Sequence, residues 1–269
     1  YILFFTNKGK VYRLKTYEIP EAGRQAKGMA IVNLLQLDQD EKVTTVIPIA
    51  EYKEGLYLFM ATKHGIVKKT DLMEYDNIRK GGLTAVSLRE NDELIDVRLT
   101  DGTKDILLVT RKGMSIRFNE EDVRPLGRVS QGVRGIKLDD DDEVVGMSAD
   151  IENTSMLVVT EKGFGKRTEL DEYKVQIRGG KGILTYRVTE KTGKLAGMKL
   201  VSEDDDVMMI SSDGTIIRIK AKDISILGRA TQGVTLMRMD EGVSVVSIAR
   251  IVNEDDEEDE GQNDDIENN

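Results

Sequence analysis

One short pattern occurs five times along this 269-residue chain: an apolar strand-like run, a turn closed by glycine, and a basic residue just beyond it. The runs are 1–9, 56–65, 106–113, 156–163 and 207–214, ending on Gly9, Gly65, Gly113, Gly163 and Gly214. These first glycines lie 56, 48, 50 and 51 residues apart. A second glycine follows each: Gly28, Gly82, Gly132, Gly182 and Gly233. The interval is 19 residues in four repeats and 17 in the second. Self-similarity at such a period marks an array of small units that bury their faces against one another.

Each unit reads as about four short strands. Lys-Gly and Asp-Gly at the first turn are hairpin signals, because glycine adopts positive φ there. Another strand-like stretch follows the second glycine, as in 133–138 and 234–239. An acidic turn comes next, clearest at 139–143, and a last apolar strand closes the unit at 43–49, 94–99, 144–147, 195–200 and 243–248. Continuous apolar runs suit strands buried on both faces. Between the second strand and the second glycine, stretches such as 168–173 allow at most one capped helical turn. The expected fold is therefore all-β, a propeller-like radial array of four-stranded blades. Its repeats span about 1–50, 55–102, 104–151, 154–203 and 205–252. A plain β-sandwich would not need repeats in register, and the absence of tryptophan disfavours WD-type propellers.

The position four residues past the first glycine is basic in every repeat: Arg13, Lys69, Arg117, Arg167 and Arg218. Lys68 and Lys166 add charge one residue earlier. Strand alternation predicts that the five project in one direction and form a positive rim. A second basic set precedes the second glycine: Arg24, Lys27, Arg79, Lys80, Arg128, Arg178, Lys181 and Arg229. Glycine allows close backbone approach, and Arg or Lys beside it adds charge-assisted bonds to phosphate. The acidic turns are expected to lie away from this surface. A nucleotide-binding loop does not explain the Gly-x-x-x-x-Gly spacing at 23–28, 127–132 and 228–233, because none continues as Lys-Ser or Lys-Thr. Sequence-specific readers are also unsupported: there is no recognition helix, zinc motif or aromatic RNA-binding strand. Contacts around a rim would meet backbone phosphates and favour bent duplex.

Composition narrows the field further. With no cysteine, disulfide and thiolate chemistry are excluded. The single histidine, His64, sits in a turn-like Lys-His-Gly and cannot make a metal site alone. No clustered acid/base constellation is visible, so no residue here is expected to be catalytic. No apolar run is long enough to span a bilayer. The run at 1–5 is too short for a signal peptide and lacks a basic region before it; the chain is expected to be a fragment of a longer protein. The net charge of −10 comes from the tail: ten carboxylates fall within 254–267, and without them acidic and basic residues balance at 39 each. Such a segment is expected to be disordered, and to act either as a solubilising tail or as a competitor for the basic surface.

These features resemble the C-terminal DNA-wrapping domain of the A protein of bacterial DNA gyrase, a β-pinwheel in which strands pass between neighbouring blades. The resemblance covers 1–252 and rests on Phe4-Phe5-Thr6-Asn7-Lys8-Gly9-Lys10-Val11-Tyr12-Arg13-Leu14-Lys15, on Gln25-Ala26-Lys27-Gly28, and on Ile31-Val32-Asn33-Leu34-Leu35. The acidic tail also fits. The family's heptad Gln-Arg-Arg-Gly-Gly-Lys-Gly has one near copy here, 176–182, with Ile177 in place of an Arg. The family has six blades where five repeats are visible, so the resemblance implies a start at the second blade. It also implies duplex DNA as ligand, wrapping in service of ATP-driven negative supercoiling, and a bacterial cytoplasmic, nucleoid-associated setting without membrane attachment. Its implied partners are an upstream breakage-reunion domain and the gyrase B protein in an A2B2 heterotetramer. ATP and Mg2+ would be bound by other domains or by gyrase B, with no cofactor in this fragment. The related C-terminal domain of topoisomerase IV and a protein-interaction propeller are the alternatives.

Overall fold

In the computed structural model, residues 1–23 and 25–252 are described; the expectations for Arg24 and for the tail 253–269 fall outside them. The first repeat contributes β1 (Ile2–Thr6), β2 (Lys10–Leu14) and β3 (Val43–Pro48). The second contributes β4 (Tyr57–Thr62), β5 (Ile66–Asp71), β6 (Leu83–Thr84) and β7 (Leu94–Thr100). In the third lie β8 (Asp105–Thr110), β9 (Met114–Asn119), β10 (Val133–Arg134) and β11 (Val144–Ala149). The fourth holds β12 (Ser155–Thr160), β13 (Phe164–Glu169), β14 (Ile183–Leu184) and β15 (Leu195–Val201). The fifth holds β16 (Asp206–Ser211), β17 (Ile216–Lys220), β18 (Val234–Thr235) and β19 (Val245–Ile251).

These strands make five small antiparallel sheets in a propeller-like ring. Each sheet has the first strand of a repeat at its centre, flanked by the hairpin partner and the closing strand of the same repeat. The fourth strand comes from the next repeat: β6 joins β2, β10 joins β5, β14 joins β9 and β18 joins β13. This is the strand passage that the family resemblance implied. The fifth sheet has three strands, and among the described residues nothing pairs with the outer edge of β17. Neighbouring closing strands touch in sequence, β3 with β7, β7 with β11, β11 with β15 and β15 with β19.

The sequence reading placed the stretch after the second glycine in a strand of about six residues. Only two residues of it pair, Val133–Arg134 and Val234–Thr235 being examples, because the chain then turns in to pack on its neighbour. The helical turn survives only as three- or four-residue 3-10 segments, at 72–75, 120–122 and 170–172 among others. Two of these are capped by side chains, with Asp71 accepting from Met73 N–H and Asn119 from Glu121 N–H, whereas the turn at 170–172 starts without a side-chain cap.

Apolar cores lie between consecutive repeats. In β4, Leu58 and Met60 face the first repeat, packing with Leu3, Phe5 and Val11, while Phe59 and Ala61 face the third, packing with Leu108 and Phe118. Successive side chains point to opposite faces, so a strand buried on both faces has no polar alternation. The pattern continues with Leu107 and Val109 toward the fourth repeat and Leu157 and Val159 toward the fifth. A glycine is required where these units close. Gly113 has φ +89°, and a side chain there would collide with the Tyr186 carbonyl of the next repeat.

Candidate nucleic-acid interface

The fourth-position cations do not form an outward rim. Lys69 and Arg167 are buried, Arg13 and Arg117 half-buried, and of the five only Arg218 is exposed. Strand alternation assumed one wet face, but the next repeat covers that face. A backbone bridge joins Lys69 to Pro125, Arg117 to Val175 and Arg167 to Ile226. The side chains then reach carbonyl oxygens of the next repeat. Arg13 Nη1 donates to Asp76 O at 2.6 Å, Lys69 Nζ to Glu120 O at 2.8 Å, Arg117 Nη1 to Leu170 O at 3.2 Å and Arg167 Nε to Ile224 O at 3.0 Å. Arg117 also pairs with Asp105 at 3.0 Å and Asp150 at 2.5 Å. These residues are clamps between repeats. Arg218 keeps the intra-sheet part of the arrangement, a 2.5 Å pair with Asp206.

The loops before the second glycines are at the surface. Those of the third to fifth repeats are each bonded through the backbone to the segment that follows the second glycine of the preceding repeat. Ser87 N–H donates to Ser130 O at 3.2 Å, Gly179 N–H to Gly135 O at 2.6 Å, Lys137 N–H to Gly180 O at 2.8 Å and Arg187 N–H to Thr231 O at 3.0 Å. A band of loops therefore runs across the second to fifth repeats. Its second glycines are set by geometry: Gly182 has φ +75° and sits against the Ser115 carbonyl, leaving no room for a Cβ.

Of the predicted loop cations, Lys27, Arg79, Lys80 and Lys181 are exposed, and Arg128, Arg178 and Arg229 are half-buried. The half-buried arginines are anchored at their bases. Arg128 Nε lies 3.6 Å from Glu74, Arg229 Nε 3.8 Å from Glu172, and Arg178 Nε donates to Asp122 O at 2.9 Å. Lys166, predicted to be a surface contact, is fully buried. Its ammonium and that of Lys68 are pushed down to about 8, mainly by burial. Acidic turns were expected to keep clear of the loops. Asp142 and Glu143 do, receiving Lys112 N–H and pairing with Arg111, but Asp139 lies 3.0 Å from Lys181.

Exposed cations that the sequence reading missed lie on the same band. Lys137, Arg187 and Arg238 each stand five residues beyond a second glycine, and Arg134 stands two beyond one; all four are exposed. Counting from the second glycine would have found them as surely as counting from the first found the clamps. Among the described residues no group of three or more His, Asp or Glu could hold a metal ion, and no helix is long and apolar enough to cross a membrane.

A family model described as the DNA gyrase C-terminal domain, beta-propeller, matches residues 1–50, 56–101, 104–149, 154–202 and 205–251. The chain belongs to that family. The DNA gyrase A protein of Halalkalibacterium halodurans is 57% identical over 261 residues, and that of Clostridium acetobutylicum 54% over 257. These alignments cover 97% and 96% of this chain but only 31% of each relative, so the chain spans about a third of their length. Among solved structures, the C-terminal domain of DNA topoisomerase IV superposes with a TM-score of 0.86 at 28% identity, covering 93% of this chain and 78% of that one. A DNA gyrase A C-terminal domain gives 0.82 at 26% identity, covering 94% and 82%.

Proposed function

We propose that this chain binds duplex DNA along the loop band and bends or wraps it, as the wrapping part of a DNA gyrase A protein whose enzyme introduces negative supercoils at the expense of ATP. The observation that carries the reading is the band itself: across four consecutive repeats the segment after one second glycine is bonded to the loop before the next, and each repeat offers Arg or Lys to solvent. Cations repeated at the period of the fold meet a repeating polyanion, and contacts to phosphate carry no sequence code. Breakage and rejoining belong to an upstream domain of the same polypeptide. The gyrase B protein supplies the ATPase within an A2B2 heterotetramer, and Mg2+ and ATP are bound outside this chain. The setting is the bacterial cytoplasm, at the nucleoid.

The test has two parts. A mobility shift on mixed-sequence duplex should show binding that weakens as salt rises, whereas a protein-interaction propeller would show no DNA affinity at any salt. Nicked circles sealed by ligase with the chain bound should then change linking number if the duplex is wrapped. The likeness to the C-terminal domain of DNA topoisomerase IV supports a second reading, that this chain is the corresponding part of such an enzyme and need not wrap duplex. Binding with no change in linking number would select it.

A further inference from the structure

The position three residues past the first glycine varies among repeats: Tyr12, Lys68, Ile116, Lys166 and Ile217. Both lysines are buried, 1% and 0% exposed, and both reach into a loop of the following repeat. Lys68 Nζ donates to Arg128 O of that loop and, at 2.7 Å, to Ala85 O of its own repeat. Lys166 Nζ donates to Gly228 O and Arg229 O, each at 2.5 Å.

The two loops so held share a pattern. One reads Gly127-Arg128-Val129-Ser130-Gln131-Gly132 and the other Gly228-Arg229-Ala230-Thr231-Gln232-Gly233. In each, the hydroxyl donates back to the leading glycine carbonyl, Ser130 to Gly127 O at 2.9 Å and Thr231 to Gly228 O at 2.8 Å. In each, the arginine is half-exposed with a glutamate from the 3-10 segment of the preceding repeat near its base. The third repeat has Ile116 instead of lysine. The loop it faces is of another kind, Gln176-Ile177-Arg178-Gly179-Gly180-Lys181-Gly182, and a Cβ on Gly180 would stand 3.8 Å from Ile116 Cδ1. An ammonium needs carbonyl oxygens turned toward it, and burying it without them would be costly. An aliphatic side chain needs close packing and no inward dipole. Loop type and buried residue therefore change together across the three repeats.

We propose that this third position selects and positions the DNA-facing loop of the next repeat: Lys68 and Lys166 fix the Gly-Arg loops through their carbonyls, and Ile116 fixes the Gly-Gly loop by packing. These are positioning residues, and the assignment rests on reading the loop band as the DNA interface. The test is a cycle in the full chain. One arm is Lys68→Ile. The second converts the facing loop with L126Q, G127I, V129G, S130G and Q131K, which keeps Arg128 and Gly132. The third combines both. Melting temperature is measured without DNA, and duplex affinity at one fixed salt. Each single arm should lower the melting temperature and weaken binding about tenfold, the scale of a removed charge-assisted bond. The combined chain should recover the parent's melting temperature, and its affinity to within about twofold, an expectation from pairwise coupling. If a single arm does not fold, folding of the combined chain is the rescue expected. Equal cost of Lys68→Ile in both loop backgrounds, or a combined chain that does not fold, overturns the proposal. Recovery of melting temperature by the combined chain, with a parent chain that binds no duplex, would leave loop selection standing and sink the DNA reading instead.

Discussion

Arg167 and Arg218 occupy the same place in consecutive repeats, yet their side chains are 3% and 56% exposed. Arg167 donates to Ile224 O under the cover of the fifth repeat, whereas Arg218 lies on the edge that nothing covers among the described residues. Removing a buried charged donor strands its carbonyl partner, so Arg167→Ala should cost on the order of 2–3 kcal/mol. Arg218→Ala should cost less, on the order of 1–2 kcal/mol, because its own side chain stays wet although it pairs with the buried Asp206. Urea titrations of the two variants decide this, and equal losses would contradict the clamp. Buried lysines and tyrosines set a further expectation. Lys68 and Lys166, held near 8 in the fold against 10.5 when exposed, bind fewer protons folded than unfolded between those values, so their contribution makes stability rise with pH there. Burial pushes Tyr12, Tyr173 and Tyr186 up to about 12, so the stability they hold below pH 10 is lost from pH 10 through about 12. The urea midpoint should climb from pH 8 toward 10 and then fall; a steady decline from pH 8 would refute this. Residue chemistry was only half legible in the chain. The basic fourth position was visible, but its burial was not, because the covering segment comes from a repeat some 50 residues away.

At the scale of strands, β13 and β17 make the sharpest comparison. They are the second strands of adjacent repeats, and β13 is buried along most of its length while β17 alternates between exposed and half-buried. β13 receives β18 and the 3-10-linked segment around Ile226; among the described residues β17 pairs only with β16. Amides of Ile216–Lys220 should therefore exchange with deuterium faster than those of Phe164–Glu169, because local opening there exposes less apolar surface. Matching rates would mean that the fifth sheet's edge is covered in solution. Hairpins and closing strands were readable because turn glycines and apolar runs are local signals. The two-residue strands were not: Val133–Arg134 has no period of its own, and its partner Ile66–Val67 lies in the preceding repeat. The rule of one wet face per strand failed on β5, where Ile66 through Thr70 are all buried, lysines included.

Across the whole molecule, charge balance is a poor guide to the surface, since many cations in the balance are inter-repeat clamps. The charge exposed on the loop band is carried by residues such as Lys137, Lys181 and Arg187. Replacing these three with Ala should leave the melting temperature within about 2 °C, as for surface substitutions generally. The slope of log affinity against log salt should become shallower by roughly 0.9 for each phosphate no longer neutralised. An unchanged slope would place the DNA elsewhere on the ring. The exchanged strands have a consequence of a different kind. The hairpin of β1 and β2 is finished only when Leu83–Thr84 arrives, and that of β12 and β13 only when Val234–Thr235 does, in each case about 70 residues later. At roughly 5–20 residues per second, a ribosome takes several seconds to cover that distance. Each newly made blade thus waits with one raw edge while its successor is translated, and a growing chain always shows one such edge to its surroundings.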